Sequence, residues 1–271
     1  QAGSAGGPGE TGMMSKGSRS ERWVLRLLVL GLIVALWEGV CRTGLASEFW
    51  VSRPFLIVAR LWETVRSGSV WFHMGVTVIE TVSGFVLGAL AGIVAGFALA
   101  RWRRAHVALE PYLMGVYSLP RVALAPLFIM WFGIGIPSKI MLAISIVFFI
   151  LLINTYVGVQ NVDRDLVNSV KTMGATPRFI TRRVVLPSCI PWIFSGLRIS
   201  MALALTASVV GEMLAAQYGL GFLLARASGT FDTTGIFMVL IILALLAIGT
   251  YNLMARLEKR LLHWQGETAP I

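Results

Sequence analysis

The chain has 271 residues, of which 56% are hydrophobic and only 13% charged, with a mean hydropathy of +0.78. A water-soluble domain needs about a quarter of its residues charged to cover its surface, so a soluble globule is excluded and a bilayer must cover the remainder. The excess of 23 Lys and Arg over 13 Asp and Glu, formally +10, does not indicate nucleic acid, because the basic residues cluster at 16–26, 101–104, 164–183 and 256–260 beside long apolar runs, without interleaved aromatics.

In chain order, residues 1–22 are Gly- and Ser-rich at first and lack periodicity, which predicts a disordered tail, with Met13 or Met14 a candidate native start. Val24 to Val40 is apolar apart from Arg26 and Glu38 and carries no cleavage pattern after it, so it reads as a first transmembrane helix. Pro54 to Arg66 places Arg60, Glu63 and Arg66 at helical spacing among apolar residues, the pattern of an amphipathic surface helix. Thr81 to Ala100 has no charge over 20 positions, enough to cross a hydrocarbon core of about 30 Å. Its glycines at 84, 88, 92 and 96 form one smooth face, read either as a site of close helix approach or as the general abundance of glycine in membrane helices.

The third apolar run, 107–132, contains Pro111, Pro120, Pro126 and Arg121. Irregular backbone at membrane depth is tolerated only against protein or a water-filled cavity, so this broken span is a candidate to line a pathway. Further spans are predicted at 140–159, 192–214 and 235–255, with a cytoplasmic tail at 261–271. The expected fold is an all-α membrane protein, one domain over 23–260 with six transmembrane helices. With the N-terminus inside, the inner segments carry fifteen Lys and Arg and the outer connections five, which the positive-inside rule reads as both termini cytoplasmic. Cys41 and Cys189 lack metal-ligand or redox spacing.

The inner connection 162–190 is too regular for a linker. Asp163 or Asp165 can cap a short helix through Met173, Gly174 can take the positive φ that ends it, and Pro177 suits the first turn of a second helix. Leu186-Pro187 is expected to stop that second helix before the fifth span. A helix, tight turn and helix on rigid stems is an element that a cytoplasmic partner can push.

This loop resembles the signature of the permease subunits of bacterial ATP-binding cassette importers: Glu-Ala-Ala, three residues, Gly, nine residues, Ile, any residue, Leu-Pro. Here Asn168-Ser169-Val170, Gly174, Val184, Leu186 and Pro187 keep the spacing, and the opening Glu-Ala-Ala is lost. LPRVALAPLFIMWFGIGIPSKIMLA at 119–143, Leu220-Gly221 and the Trp-containing C-terminus with Trp264 to Glu267 extend the likeness over 24–267 and resemble the nitrate, sulfonate and taurine group. The resemblance implies a type I importer permease fold and a cytoplasmic helix-turn-helix coupling loop at Met173, Gly174, Ala175, Thr176, Pro177, Arg178, Leu186 and Pro187. It also implies a second copy of the permease, two ATPase subunits, an external substrate-binding protein and a small anionic solute such as a sulfonate, taurine or nitrate. The sequence has no Gly-x-x-x-x-Gly-Lys-Ser/Thr loop, so this subunit is expected to have no ATPase chemistry and no cofactor, with ATP and Mg²⁺ held by the partner ATPase.

A charge inside a span is costly and is usually paired or faces water, which singles out Arg121 and Glu212. Arg121 either meets an anionic substrate or makes a structural contact; Glu212 reads as gating, packing or substrate contact; Tyr117, Ser118 and Pro120 flank the break. Arg178, Arg182 and Arg183 serve either the ATPase or lipid headgroups, and Glu38 and His73 read as structural or interfacial. The competing classes are an ATP-independent carrier or channel, which predicts charges in several spans and inverted repeats, and a non-transporting scaffold. Spans two, four and six read as charge-free.

Overall fold

A computed structural model describes residues 19–261, which are helical apart from short turns and caps. The expectations for most of the N-terminal tail and for the C-terminal tail fall outside the described residues, except that the first helix, α1 (Arg19–Arg42), begins within the segment expected to be disordered. The described residues fall into two compact units, divided after Phe55. In the first, α1 is followed by the short α2 (Glu48–Val51), and Glu38 accepts hydrogen bonds from Arg42 Nε at 2.8 Å and the Phe55 amide at 3.1 Å. Glu38 is thus a structural carboxylate closing the turn after α1.

The second unit contains most of α3 (Pro54–Arg66), which begins in the first unit, followed by α4 (Ser69–Arg101), α5 (Arg103–Ser118), a 3₁₀ turn (Arg121–Leu124), α6 (Ala125–Phe132) and α7 (Ile136–Gln160). It continues through α8 (Arg164–Thr172), α9 (Pro177–Ile180), a π-helical turn (Thr181–Val185), α10 (Leu186–Leu214), α11 (Leu220–Gly229) and α12 (Thr233–Leu261). Among the described residues five helices are long and apolar enough to cross a membrane, and 104–118 with 121–132 forms a sixth candidate bent by 84°.

The core is the contact of α4, α7 and α10. In lipid no hydrophobic force drives apolar helices together, so close backbone approach must supply the attraction. Gly84, Gly88, Gly92 and Gly96 provide it: an ideal Cβ at Gly88 lies 2.9 Å from Val147 Cβ, one at Gly92 2.9 Å from Leu151 Cβ, and one at Gly96 2.7 Å from Thr155 Cβ. The positions rise together, so α4 and α7 run parallel. The pairs Gly211 with Lys139, Gly196 with Asn154 and Gly158 with Trp192 run in opposite order, making α10 antiparallel to α7. Parallel α4 and α7 oblige the chain between them to return across the membrane, so the bent pair is one crossing.

The three prolines of that crossing act differently. Pro120 sits in the break; Pro126 lies in the first turn of α6, where its missing N–H has no helical partner to lose; Pro111 is accommodated inside α5. Leu186-Pro187 does not stop a helix, as expected above, because 177–214 runs on as one helical rod. The π turn explains this. The Leu186 amide donates to Thr181 O, five residues back, and the widened ring relieves the clash and lost donor that Pro187 would otherwise impose.

The helices also exceed the charge-free windows. The 33 residues of α4 are about 50 Å long and include Glu80, while α7 includes Lys139 and α12 includes Arg256, Glu258 and Lys259. Spans two, four and six are therefore not charge-free helices.

Replacing Gly92 by Ala forces its methyl into the Phe148 carbonyl and is expected to destabilise the protein by about 1–3 kcal/mol. Gly75→Ala, in the same helix with nothing within 4 Å, is expected to be neutral or to gain up to about 1 kcal/mol of helix propensity. Thermal unfolding of both variants in detergent micelles checks the contrast; equal midpoints would contradict the glycine contact.

Candidate functional site

The loop 163–178 is built from local caps. Asp163 accepts from the Asp165 amide at 2.8 Å and opens α8. Gly174, at φ 83°, closes α8, with its own amide bonded to Lys171 O at 3.0 Å and that of Ala175 to Val170 O at 3.3 Å. Thr176 then caps α9 by accepting from the Phe179 amide at 3.4 Å, and Pro177 occupies the first turn. Met173 (85% exposed), Gly174, Thr176, Pro177 and Arg178 project outward, Ala175 is half-buried, and Leu166 and Phe179 add exposed apolar surface. Leu186 and Pro187 lie two to three turns further along the rod, Leu186 exposed and Pro187 half-buried. The helical stretch 177–214 begins at this turn and runs on into α10 without a break.

Arg121 sits in the 3₁₀ turn, half-buried. Tyr117 is the penultimate residue of α5, so its carbonyl is among the four that a helix end leaves without a donor. The Arg121 guanidinium supplies one, donating from Nη2 to Tyr117 O at 3.1 Å and from Nη1 to Ile146 O at 3.5 Å. It also lies 4.8 Å from the Tyr117 ring centroid and 4.9 Å from that of Phe149, within cation–π range. The break is thereby tied to α7. Tyr117, Ser118 and Pro120 are exposed beside it, and the Ser118 hydroxyl donates to Met114 O at 2.8 Å.

Glu212 is elsewhere. Arg121 meets α7 at Ile146 and Phe149, whereas Glu212 faces Lys139, two turns or about 10 Å away along the axis. The two candidate residues therefore stand at different levels along α7. Glu212 belongs to a buried polar cluster that the charge-free windows concealed: Glu80 (2% exposed), Lys139 (2%) and Glu212 (1%), from α4, α7 and α10, place one ammonium group in the neighbourhood of two carboxyl groups. Lys139 Nζ also donates to Ala215 O.

The cluster holds the start of α11, which has no capping side chain of its own because Gly219 precedes it. Three consecutive amides are bonded from neighbouring helices: Gly219 N to His73 Nδ1 at 3.0 Å, Leu220 N to Thr77 Oγ1 at 2.9 Å, and Gly221 N to Glu212 Oε2 at 2.6 Å. The Thr77 hydroxyl in turn donates a hydrogen bond to Glu212 Oε1 at 2.7 Å. A carboxylate beside a helix N-terminus is favoured by the helix dipole as well as by the hydrogen bond. Gly219 has φ 114°, and a Cβ there would overlap the Glu212 carboxyl; one at Gly221 would lie 2.8 Å from Glu212 Cβ. His73 also stacks on Phe222, with centroids 6.0 Å apart. Near the other end, Arg198 of α10 pairs with Glu258 of α12.

Residues 84–263 match the family of binding-protein-dependent transport system inner membrane components. The chain is 37% identical to the riboflavin transport system permease protein RibX of Chloroflexus aurantiacus, over 88% of this chain and 89% of that one. It is 30% identical to the aliphatic sulfonates transport permease protein SsuC of Bacillus subtilis, over 92% and 90%, and 33% identical to the formylaminopyrimidine transport permease protein ThiX of Halalkalibacterium halodurans, over 86% and 93%. Its fold is similar to a chain of the MetNI methionine ABC transporter in an inward-facing conformation, with a TM-score of 0.61 at 22% identity, covering 74% of this chain and 96% of that one. The chain belongs to the inner-membrane permeases of binding-protein-dependent ABC importers, a subunit that is not itself the ATPase.

Proposed function

We propose that two copies of this chain form the translocation pathway of an importer, bind one ATPase each through 173–178, and receive a small organic anion such as an aliphatic sulfonate from an external binding protein. The observation that carries this reading is the capped turn at Gly174 on the continuous rod 177–214: it offers exposed Met173 and Phe179 to a cytosolic partner and connects them rigidly to the membrane core. Both termini are then cytoplasmic, and Glu80, Lys139 and Glu212 lie toward the outer face. ATP and Mg²⁺ stay with the ATPase; this chain supplies the path and the lever.

The anionic substrate class is supported by Arg121, whose guanidinium is held in the broken crossing by carbonyls and rings, with no carboxylate ion-paired to it among the described residues. A heterocyclic substrate is the second reading, favoured by the 37% identity to a riboflavin permease; Tyr117, exposed beside Pro120, offers such a ring a stacking face.

Gly174→Val places a β-branched residue at φ 83°, a strain of about 1–2 kcal/mol. In proteoliposomes holding the permease, its ATPase and its binding protein, uptake per ATP hydrolysed is expected to fall by roughly tenfold; unchanged coupling would remove the turn from the mechanism. Calorimetric titration of the partner binding protein with taurine, ethanesulfonate, nitrate, riboflavin and a formylaminopyrimidine tests the substrate class. Sulfonate binding supports the anion reading, and binding of only the neutral heterocycles replaces it. With the identified substrate, Arg121→Ala is expected to reduce uptake of an anion without loss of assembly, and unchanged kinetics would take Arg121 out of the pathway.

A further inference from the structure

We propose that Glu80 and Lys139 are positioning residues for transport: with Glu212 they fasten segment 215–221 to α4 and α7 through the whole cycle, so that the outer ends of α4, α7, α10 and α11 travel as one body and this contact is not the outer gate. The inference rests on the membrane orientation proposed above.

Each of the three ionisable groups comes from a different membrane helix and is at most 2% exposed. Glu212 and Lys139 are each hydrogen-bonded there, and pulling the segment away would leave buried polar groups without partners in a low-dielectric site, which is costly. The segment they hold is bonded at three successive amides, 219, 220 and 221, to three side chains, two of them on α4. Lys139 adds a fourth tie, from α7 to the Ala215 carbonyl.

The fit leaves no slack. Gly211 lies where a Cβ would meet Lys139 Cγ at 2.9 Å, and Gly219 and Gly221 leave room only for the Glu212 side chain. A gate needs two arrangements of similar energy; a buried, glycine-walled polar contact that also caps a helix favours one. Inward from it, the glycine contacts of α4 with α7 and of α10 with α7 continue to Gly96 and Gly158. The rigid body therefore extends from the coupling rod to the outer turn, and motion arises at its borders, including the contact between the two copies.

Phe72 and Tyr218 are exposed, with rings 5.2 Å apart, and join α4 to the held segment without belonging to the cluster. Phe72→Cys/Tyr218→Cys, bridged by a short bis-methanethiosulfonate reagent in the reconstituted complex with its ATPase and binding protein, tests the proposal; the native Cys41 and Cys189 are buried. The bridged complex is expected to hydrolyse ATP within twofold of the unbridged one. A fall to background on bridging, reversed by reductant, would show that the contact opens and overturn the proposal. If the unbridged complex lacks ATP hydrolysis coupled to this permease, the importer reading fails instead.

Hydrogen exchange gives a second decision. Amides 219–221 are expected to be equally protected in the nucleotide-free and vanadate-trapped complex. Lys139→Met should speed their exchange at least tenfold in both states and lower uptake per ATP in assembled complexes. Protection lost in only one state of the wild type, or Lys139→Met leaving both exchange and coupling unchanged, would refute it. Should Lys139→Met fail to assemble, the bridged pair decides alone.

Discussion

The close approach of α4 to α7 along four glycines is the constraint on which the rest of this permease depends. Helices in lipid gain little by hiding apolar surface from one another, and close packing at small residues, together with interhelical hydrogen bonds, holds them. Once Gly84 to Gly96 lie against Ala143 to Thr155, the two helices must run parallel. The intervening chain must then recross the membrane, and Glu80 and Lys139 come to the same level at one end. The broken crossing, the ionic cluster and the antiparallel position of α10 all follow from that register.

The two ends of this body serve different purposes. At one, the π turn lets Pro187 sit within a continuous rod, so the Gly174 turn and α10 are mechanically one object. At the other, Glu212 and Thr77 cap α11 from neighbouring helices, replacing the side-chain cap that Gly219 cannot provide. In the proposed importer, these features would give the lever a stiff shaft and a fixed far end. Arg121 performs a related task midway, where a helix end created by Pro120 exposes carbonyls that the guanidinium covers. A side chain in that position stabilises the break while keeping a cation beside it.

Much of this was legible in the residues themselves. Apolar run length located the membrane helices, a four-residue glycine period marked the contact face, and Asp163, Gly174, Thr176 and Pro177 have the cap chemistry that the loop displays. The buried polar cluster was not legible, because Glu80 and Lys139 each stand one position outside a charge-free window; only the parallel register of α4 and α7 joins them. Leu186-Pro187 was misread as a stop because a π turn has no periodicity of its own and reveals itself only in the bond from Leu186 to Thr181. The different levels of Arg121 and Glu212 were not legible for a similar reason: charge inside a span marks a candidate, but only the register along α7 decides which groups meet.

The central claim is that the coupling turn and the outer turn belong to one rigid body within each copy. Spin labels at positions 173 and 218 of one chain, read by pulsed electron resonance in the assembled importer, test it directly. The account predicts an intrachain distance that stays constant between nucleotide-free and vanadate-trapped states while the distance between the two copies' 173 labels shortens. An intrachain distance that changes as much as the distance between copies would contradict it.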